Sequence, residues 1–436
     1  MNYLVRPNLG RSSRLERFPW LIFLFIAAVF FLSFHNLEMS RRGIEAFNAS
    51  TDEIVTGVAE GSLSKRIALL SLGIFAVVKL IEHRGIRLRI NDLLGWTMAF
   101  FTGWAILSLV WAEDRALSFR RLVILLILCL AAAAIARCFT LRRIVLLTFF
   151  CSIVFLLIGV SAELALGTFR PFASGYRFAG TLHPNHQGIN CALLLLSGVA
   201  AADGQRFRRI LFRVCALLGF VFLILTGSRT ASAAGVLALA VYLTAVSSWR
   251  ARAAAALGLV MAVGILALAF GPTFLPDIKN AVMFGRDDFA ADAFHPRTGI
   301  WDEVGGYIQE RPILGYGYGG FWNQHHINEV SASQNWGVGA GHSAYVDCIL
   351  DLGAVGLAAY VLVLLGGIVR SFTFHKAQGA PYFAFSGSLL IFCLADGLLE
   401  SAMLEGTFLM FLSMTVLVRI AFACSPEADQ GAICES

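Results

Sequence analysis

Apolar runs of bilayer length follow one another along almost the whole chain, and a single long polar stretch, roughly Pro272 to Gly341, interrupts them. A membrane-spanning helix needs about 20 consecutive apolar residues. The chain is 58% hydrophobic and only 14% charged, with a mean hydropathy of +0.74. Soluble domains average about 45–50% apolar and about 25% charged. The composition therefore defines an integral membrane protein. A chain of 436 residues has room for on the order of twelve spans and one modest extramembrane domain.

The expected spans fall near 18–34, 67–82, 93–111, 121–136, 144–166, 188–202, 210–226, 231–248, 253–271, 343–369, 382–399 and 402–422. This divides the chain into an N-terminal bundle of about nine spans (1–271), a large loop (272–342), C-terminal spans (343–422) and a tail (423–436). The first run follows Arg6, Arg11, Arg14 and Arg17 and has no small-residue cleavage site after it, so it reads as an uncleaved span. Every second loop is basic: Arg84, Arg87 and Arg89, then Arg137, Arg142 and Arg143, then Arg206, Arg208 and Arg209, then Arg250 and Arg252, then Arg370 and Lys376. Lysine and arginine in short loops mark the cytoplasmic side. Both termini are then expected in the cytoplasm. The Glu38–Arg66, Ala112–Arg120 and Gly167–Gln187 loops, the Thr226–Thr230 turn, the 272–342 segment and the Glu400 turn are expected on the other side of the membrane.

That alternation also accounts for the net charge of +6 and pI of about 8.9, which in a soluble protein would suggest nucleic acid. The cysteines sit mostly inside apolar runs, with no CxxC spacing, and read as small buried hydrophobes. Within the polar segment, Ile300, Trp301, Val304, Tyr307 and Ile308 recur at helical spacing and Pro312 ends the run. The glycine-aromatic stretch Gly315 to Gly320 reads as a tight turn that places aromatics at the interface. No strand precedes it and it opens no helix, so it is not a dinucleotide fingerprint.

The residues able to carry chemistry gather on the outer side. His342 stands where the polar segment enters the next span, and an imidazole with its ordinary pKa near 6.5 suits general-base work. Asp347 and Asp351 lie one and two turns further along the same helix, where a carboxylate needs a partner and could orient a neighbour. Arg229 occupies a short turn, Thr226-Gly227-Ser228-Arg229-Thr230, against the positive-inside trend. Arginine in a rigid turn offers a planar, bidentate grip on phosphate, although a snorkelling arginine would look the same. Arg297 precedes the amphipathic helix of the polar segment, and Arg311 closes it as a dipole partner. Arg170 and Arg177 flank a polar tract in which His183 and His186 are either donors to a sugar or phosphate, or caps and packing residues. His325, His326 and Glu329 do not present two metal ligands on one helical face, and Glu113-Asp114 is the nearest approach to a paired carboxylate, so no metal and no cofactor is expected.

Taken in order, several short motifs resemble one family. They are Trp111-x-x-Asp114-x-x-x-Ser118-x-Arg120-Arg121, the Arg229 turn, Arg297-x-x-x-Trp301, Gly315-x-Gly317-x-Gly319, and His342-Ser343-x-Tyr345 with Leu352-Gly353-x-x-Gly356. The set is similar to the O-antigen ligase and polymerase family, over about residues 95–420. The Phe178 to His186 tract makes the chain most similar to exopolysaccharide polymerases of the succinoglycan type. It departs from the family pattern at Ala112, Arg115 and Ala116.

The resemblance implies an all-α polytopic membrane glycosyltransferase, glycosyltransferase C-like, with a large periplasmic loop containing short helices over its active site. It implies a sugar chain on undecaprenyl diphosphate as donor and either a lipid-linked repeat or lipid A core as acceptor, with polysaccharide assembly proteins as further partners. Carried over residue by residue, His342 is the base, and Arg229 and Arg297, with Arg120 or Arg121, bind the diphosphate. Arg177, His183, His186 and Tyr345 are expected to contact substrate. Two other classes fit parts of the chain. A lipid-linked oligosaccharide flippase would use Glu163, Asp347, Asp351 and Asp396 as coupling sites, and a scaffold of an export complex would not need His342.

Overall fold

The structure is a computed structural model that describes residues 19–41, 50–82, 90, 92–173, 175–202, 206–248, 291–402, 404 and 406–422. Among them every regular element is helical: α1 (Pro19–Phe34), α2 (Thr51–Glu60), α3 (Leu63–Glu82), α4 (Leu93–Leu107), α5 (Arg115–Cys138), α6 (Leu141–Leu166) and α7 (Pro184–Ala201). They continue with α8 (Arg206–Leu225), α9 (Arg229–Val246), α10 (Ala291–Glu310), α11 (Gln324–Gln334), α12 (Ala344–Gln378), α13 (Pro381–Asp396) and α14 (Phe408–Phe422). Five stretches are long and apolar enough to cross a bilayer: Leu93–Val110, Arg115–Cys138, Leu141–Leu166, Arg229–Val246 and Ala344–Gln378. Pro19–Phe34, Pro381–Asp396 and Phe408–Phe422 are shorter and apolar. The class is an all-α polytopic membrane protein.

Described helices overlie eleven of the twelve expected ranges. The ninth range, 253–271, lies outside the described residues. So do the N-terminal arginines, the 83–89 and 249–252 loops, the first part of the polar segment and the 423–436 tail. The last expected range begins too early: α14 starts at Phe408, because the Thr407 hydroxyl accepts from Met410 N at 3.3 Å and opens the helix there. The helix of the tenth range is longer than expected and broken. Gly353 (φ 65°, ψ −171°) interrupts α12, and the helix then runs on to Gln378.

That break organises the polar segment. A non-helical residue strands the carbonyls of the turn before it, and stranded polar groups must find partners. Tyr316 N donates to Leu350 O at 2.8 Å, Gly317 N to Asp351 O at 2.8 Å and the Trp104 indole to Leu352 O at 3.1 Å. The Gly315–Gly320 turn is thus a plug for the broken helix. Its aromatics do not lie at an interface as expected: Tyr316 and Tyr318 are buried. Glycine is required because a Cβ on Gly315 would come within 2.6 Å of the Asp351 carbonyl and one on Gly317 within 2.4 Å of Ala112.

The polar segment has its own small core, with Ile300, Val304, Phe321, Ile327 and Val330 fully covered. An unexpected helix, α2, packs its Ile54, Val55 and Val58 onto that core. Ser50 starts it with a capping box to Glu53. The larger core runs through the bundle, where α7 lies against α6, α8, α9 and α13, and α12 lies against α4 and α13.

Candidate active site

The N-terminus of α7, the N-terminus of α9, the N-terminus of α12 and the C-terminal end of α13 meet at one end of the bundle. Pro184 starts α7 with its ring at N1/N2, where the missing N–H costs nothing. His183 caps it: its Nδ1 accepts from Asn185 N at 3.3 Å, so the ring proton sits on Nε2. The loop before it is pinned by Glu163, whose Oε1 accepts from Ala179 N at 3.0 Å and Gly180 N at 2.7 Å, and which also accepts the Tyr176 hydroxyl. Glu163 is therefore fully occupied in holding a loop.

From that loop a polar chain crosses the bundle end. Arg177 Nε donates to Thr226 O at 2.9 Å, and its Nη2 donates to Asn185 Oδ1 at 2.8 Å. Asn185 Nδ2 donates to Glu400 Oε1 at 2.8 Å, and the same oxygen takes Arg297 Nη2 at 3.0 Å. The Arg297 and Glu400 side chains are 20% and 6% exposed, so the pair is shielded from solvent and removing either partner would leave the other charge buried. One N–H of Arg297 is used there out of five.

Arg229 is the first residue of α9, behind the Ser228 cap, whose hydroxyl accepts from Ala231 N at 3.4 Å. Gly227 (φ 60°) makes the turn, and a Cβ there would come within 3.3 Å of Arg177 Nε. The α9 arginine is thus tied to the same chain. His342 enters from the other side. It precedes the Ser343 cap of α12, and Ala344 N donates to Gly397 O at 2.9 Å and Glu400 O at 3.2 Å. Its backbone is left-handed (φ 50°), which few non-glycine residues adopt, and its ring lies 5.8 Å from that of Trp336. Desolvation first, and then the fields of His186, Arg177 and His342, lower the pKa of His183 to about 3. His183 is therefore neutral at ordinary pH, a donor and an acceptor but not a proton store.

The structure thus gathers His342, Arg297, Arg177 and His183 around Asn185 and Glu400, with Arg229 on the adjoining turn. It sends other expected site residues elsewhere. Arg120 and Arg121 are neighbours on α5, and neighbours on a helix diverge. Arg120 Nη1 donates to Ala59 O of α2 at 3.0 Å, away from the polar chain, whereas Arg121 lines a separate cavity with Asp351. The Tyr345 hydroxyl donates to Leu394 O at 2.7 Å inside the bundle. His186 lines a small apolar pocket with His35, whose Nδ1 bonds the Thr181 hydroxyl at 2.6 Å. Arg311 pairs with Glu113 at 3.5 Å and lies 4.5 Å over Tyr316.

Glu400 and Asn185 are the residues that sequence reasoning did not single out. A carboxylate in a turn of a few residues between two apolar runs was the available signal for Glu400.

Residues 214–361 match the model of the O-antigen ligase family. The matched stretch contains Arg229, Arg297 and His342 and stops short of Glu400. No curated protein matches the chain. The match supports an O-antigen ligase/polymerase-type membrane glycosyltransferase.

Proposed function

We propose that the protein moves an undecaprenyl-diphosphate-linked oligosaccharide onto an acceptor sugar hydroxyl at the periplasmic face of the bacterial inner membrane, as an exopolysaccharide repeat-unit polymerase. The observation that carries this reading is the polar chain from Arg177 through Asn185 and Glu400 to Arg297, which ties the Arg229 turn and the His342 loop to one end of the bundle. The donor brings its own leaving group. The chemistry then needs a base for the acceptor hydroxyl and fixed positive charge for the departing diphosphate.

His342 takes the hydroxyl proton. The hydroxyl oxygen attacks the anomeric carbon, the bond from that carbon to the phosphate oxygen breaks, and its electron pair leaves with the lipid diphosphate. Arg229 and Arg297 stabilise that charge. Removing one preorganised donor of this kind costs about 10²–10³ in rate. Permanent arginine charges make nucleotide and added metal unnecessary to the scheme. Direct displacement inverts the anomeric centre.

A second reading is favoured by the description of the matched family: transfer of the glycan to lipid A core, as a ligase. The test is reconstitution in proteoliposomes with a defined undecaprenyl-diphosphate oligosaccharide, with and without a lipid A core acceptor. Chain extension without nucleotide or added metal supports the polymerase, and transfer to the core supports the ligase. Full activity of His342→Ala would remove the base, a nucleotide requirement would place the protein in another enzyme class, and a retained anomeric configuration by NMR would exclude single-step displacement.

A further inference from the structure

A cavity of about 330 Å³ lies between α5, α12 and the plug turn, with Ser401 in its wall. Arg121, Asp347, Asp351, Tyr318, Trp322 and Ser401 are among its lining residues. Its volume is at the low end of the range of about 300–1,000 Å³ that small-molecule sites occupy.

The two carboxylates differ sharply. Asp347 is saturated: Oδ1 accepts from the Trp322 indole at 2.8 Å and Gly341 N at 2.7 Å, and Oδ2 accepts from the Ser401 hydroxyl. Asp351 is held more loosely, by a long bond of 3.4 Å from Phe321 N and by the backbone of Gly319. Arg121 makes no hydrogen bond and no ion pair among the described residues, although it lines the same cavity. Gly319 fixes its position, since a Cβ there would lie 2.3 Å from Arg121 Cδ. A buried, loosely held carboxylate and a half-buried guanidinium without a hydrogen bond face one space without closing on each other. Such groups are costly unless something bridges them.

We propose that this cavity is the subsite for an uncharged sugar ring of the acceptor glycan, with Asp351 accepting from and Arg121 donating to its hydroxyls. This rests on the transferase reading of the neighbouring site. A sugar hydroxyl is both donor and acceptor and can bridge the pair, and the C–H face of a pyranose suits the aromatic and apolar wall of Tyr318, Trp322, Leu404 and Met410. The lipid diphosphate suits it poorly. Carboxyl oxygens of Asp347 and Asp351 lie in the wall beside Arg121 and Lys65 and oppose phosphate oxygens, whereas sugar hydroxyls can donate to them. The cavity borders the loop that carries the base: Gly339 and Ala340 line it, and Gly341, next to His342 in sequence, is bonded to Asp347.

The test uses the full chain in nanodiscs and a radiolabelled oligosaccharide released by mild acid from the host cell's own lipid-linked repeat, so that the probe has neither lipid nor phosphate. Equilibrium dialysis is expected to show saturable binding, weakened at least tenfold in Arg121→Gln and in Asp351→Asn, and not displaced by undecaprenyl diphosphate. Arg121 has no hydrogen bond to lose, so its variant is informative even if Asp351→Asn fails to fold. Binding that is absent, that is unchanged in Arg121→Gln, or that is displaced by undecaprenyl diphosphate overturns the subsite. Arg121-dependent glycan binding without any transfer would uphold the subsite and sink the transferase reading. Transfer with binding indifferent to Arg121 would do the reverse.

Discussion

His342 sits in a backbone conformation that L-residues avoid, and the cost falls at the residue proposed to move the proton. A left-handed non-glycine residue costs about 1–2 kcal/mol. Two substitutions separate backbone from imidazole. His342→Ala keeps the unfavourable φ and loses the ring, whereas His342→Gly loses the ring and relieves the φ. Both are expected to abolish glycan transfer, with the glycine variant about 1 kcal/mol more stable than the alanine one in thermal melts. If the two melt alike, the left-handed geometry is not a source of strain.

The buried histidines set a pH limit on the fold. His35 stacks on Phe31 (4.7 Å) and meets a tilted Phe155 ring (4.6 Å), and desolvation lowers its pKa to about 3, as it does for His183. Both folded values lie below the unfolded one of about 6.5. Between those limits the unfolded chain binds protons that the folded chain excludes, so stability is lost as pH falls from about 6.5. The loss is at most about 1.4 kcal/mol per pH unit for each group. The melting midpoint in detergent should drop from pH 7 to pH 4.5, more shallowly in His35→Gln. Parallel slopes in the two proteins would exclude His35 as a source.

At the scale of elements, the broken helix α12 joins the membrane domain to the polar segment. Gly353 is its hinge point: a Cβ there would meet Ile313 O at 2.0 Å, with φ already at +65°. Gly353→Ala is expected to destabilise by about 2–5 kcal/mol, as strain and overpacking together do. Gly306, inside α10 with nothing within 4 Å of where an added methyl would sit, is the control, and Gly306→Ala should stabilise by about 0.5–1 kcal/mol. Urea or thermal melts of the pair read both signs, and a tolerated Gly353→Ala would mean that the plug turn yields.

Helices were legible in the sequence because apolar length is a local property, and the amphipathic run from Ile300 to Ile308 was legible for the same reason. The motif Leu352-Gly353-x-x-Gly356 holds the glycine of the break, but the range 343–369 reads as one continuous span, and the plug is not legible because Tyr316 and Gly317 lie more than thirty residues upstream of the carbonyls they bond. The site was legible in part. Arginine and histidine stand out in apolar sequence, while the carboxylate of the Glu400 turn, though visible, gives no sign that it links Arg297 to Asn185 from the far end of the chain. Adjacency in sequence puts Arg120 and Arg121 together, and only the helical rotation between them sends one to α2 and the other to Asp351.

At the scale of the whole molecule, the end opposite His342 is built from arginines that cap helix termini. Arg137 Nη1 donates to Leu80 O at 3.3 Å, Arg419 Nη1 to Ala136 O at 3.3 Å, and Arg370 Nε to Ile420 O at 2.9 Å. Arg370 also pairs with Asp92 at the start of α4. Each guanidinium meets carbonyls at the C-terminal end of a helix, where the dipole favours positive charge. The exposed Arg142, Arg143, Arg208 and Arg209 lie at the same end, on the first turns of α6 and α8. Lysine and arginine in the short loops of this end favour insertion with it in the cytoplasm. Transfer to a periplasmic acceptor requires His342 and α11 on the other side.

Orientation is therefore a test of the functional reading that needs no substrate. In a background with the nine native cysteines replaced, Gln324→Cys on α11 should react with an impermeant maleimide in intact spheroplasts, and Arg143→Cys should react only after lysis. The reverse pattern would put the arginines of the site in a compartment that holds nucleotide sugars, and the lipid-diphosphate donor would no longer be the chemistry that the site's arginines serve.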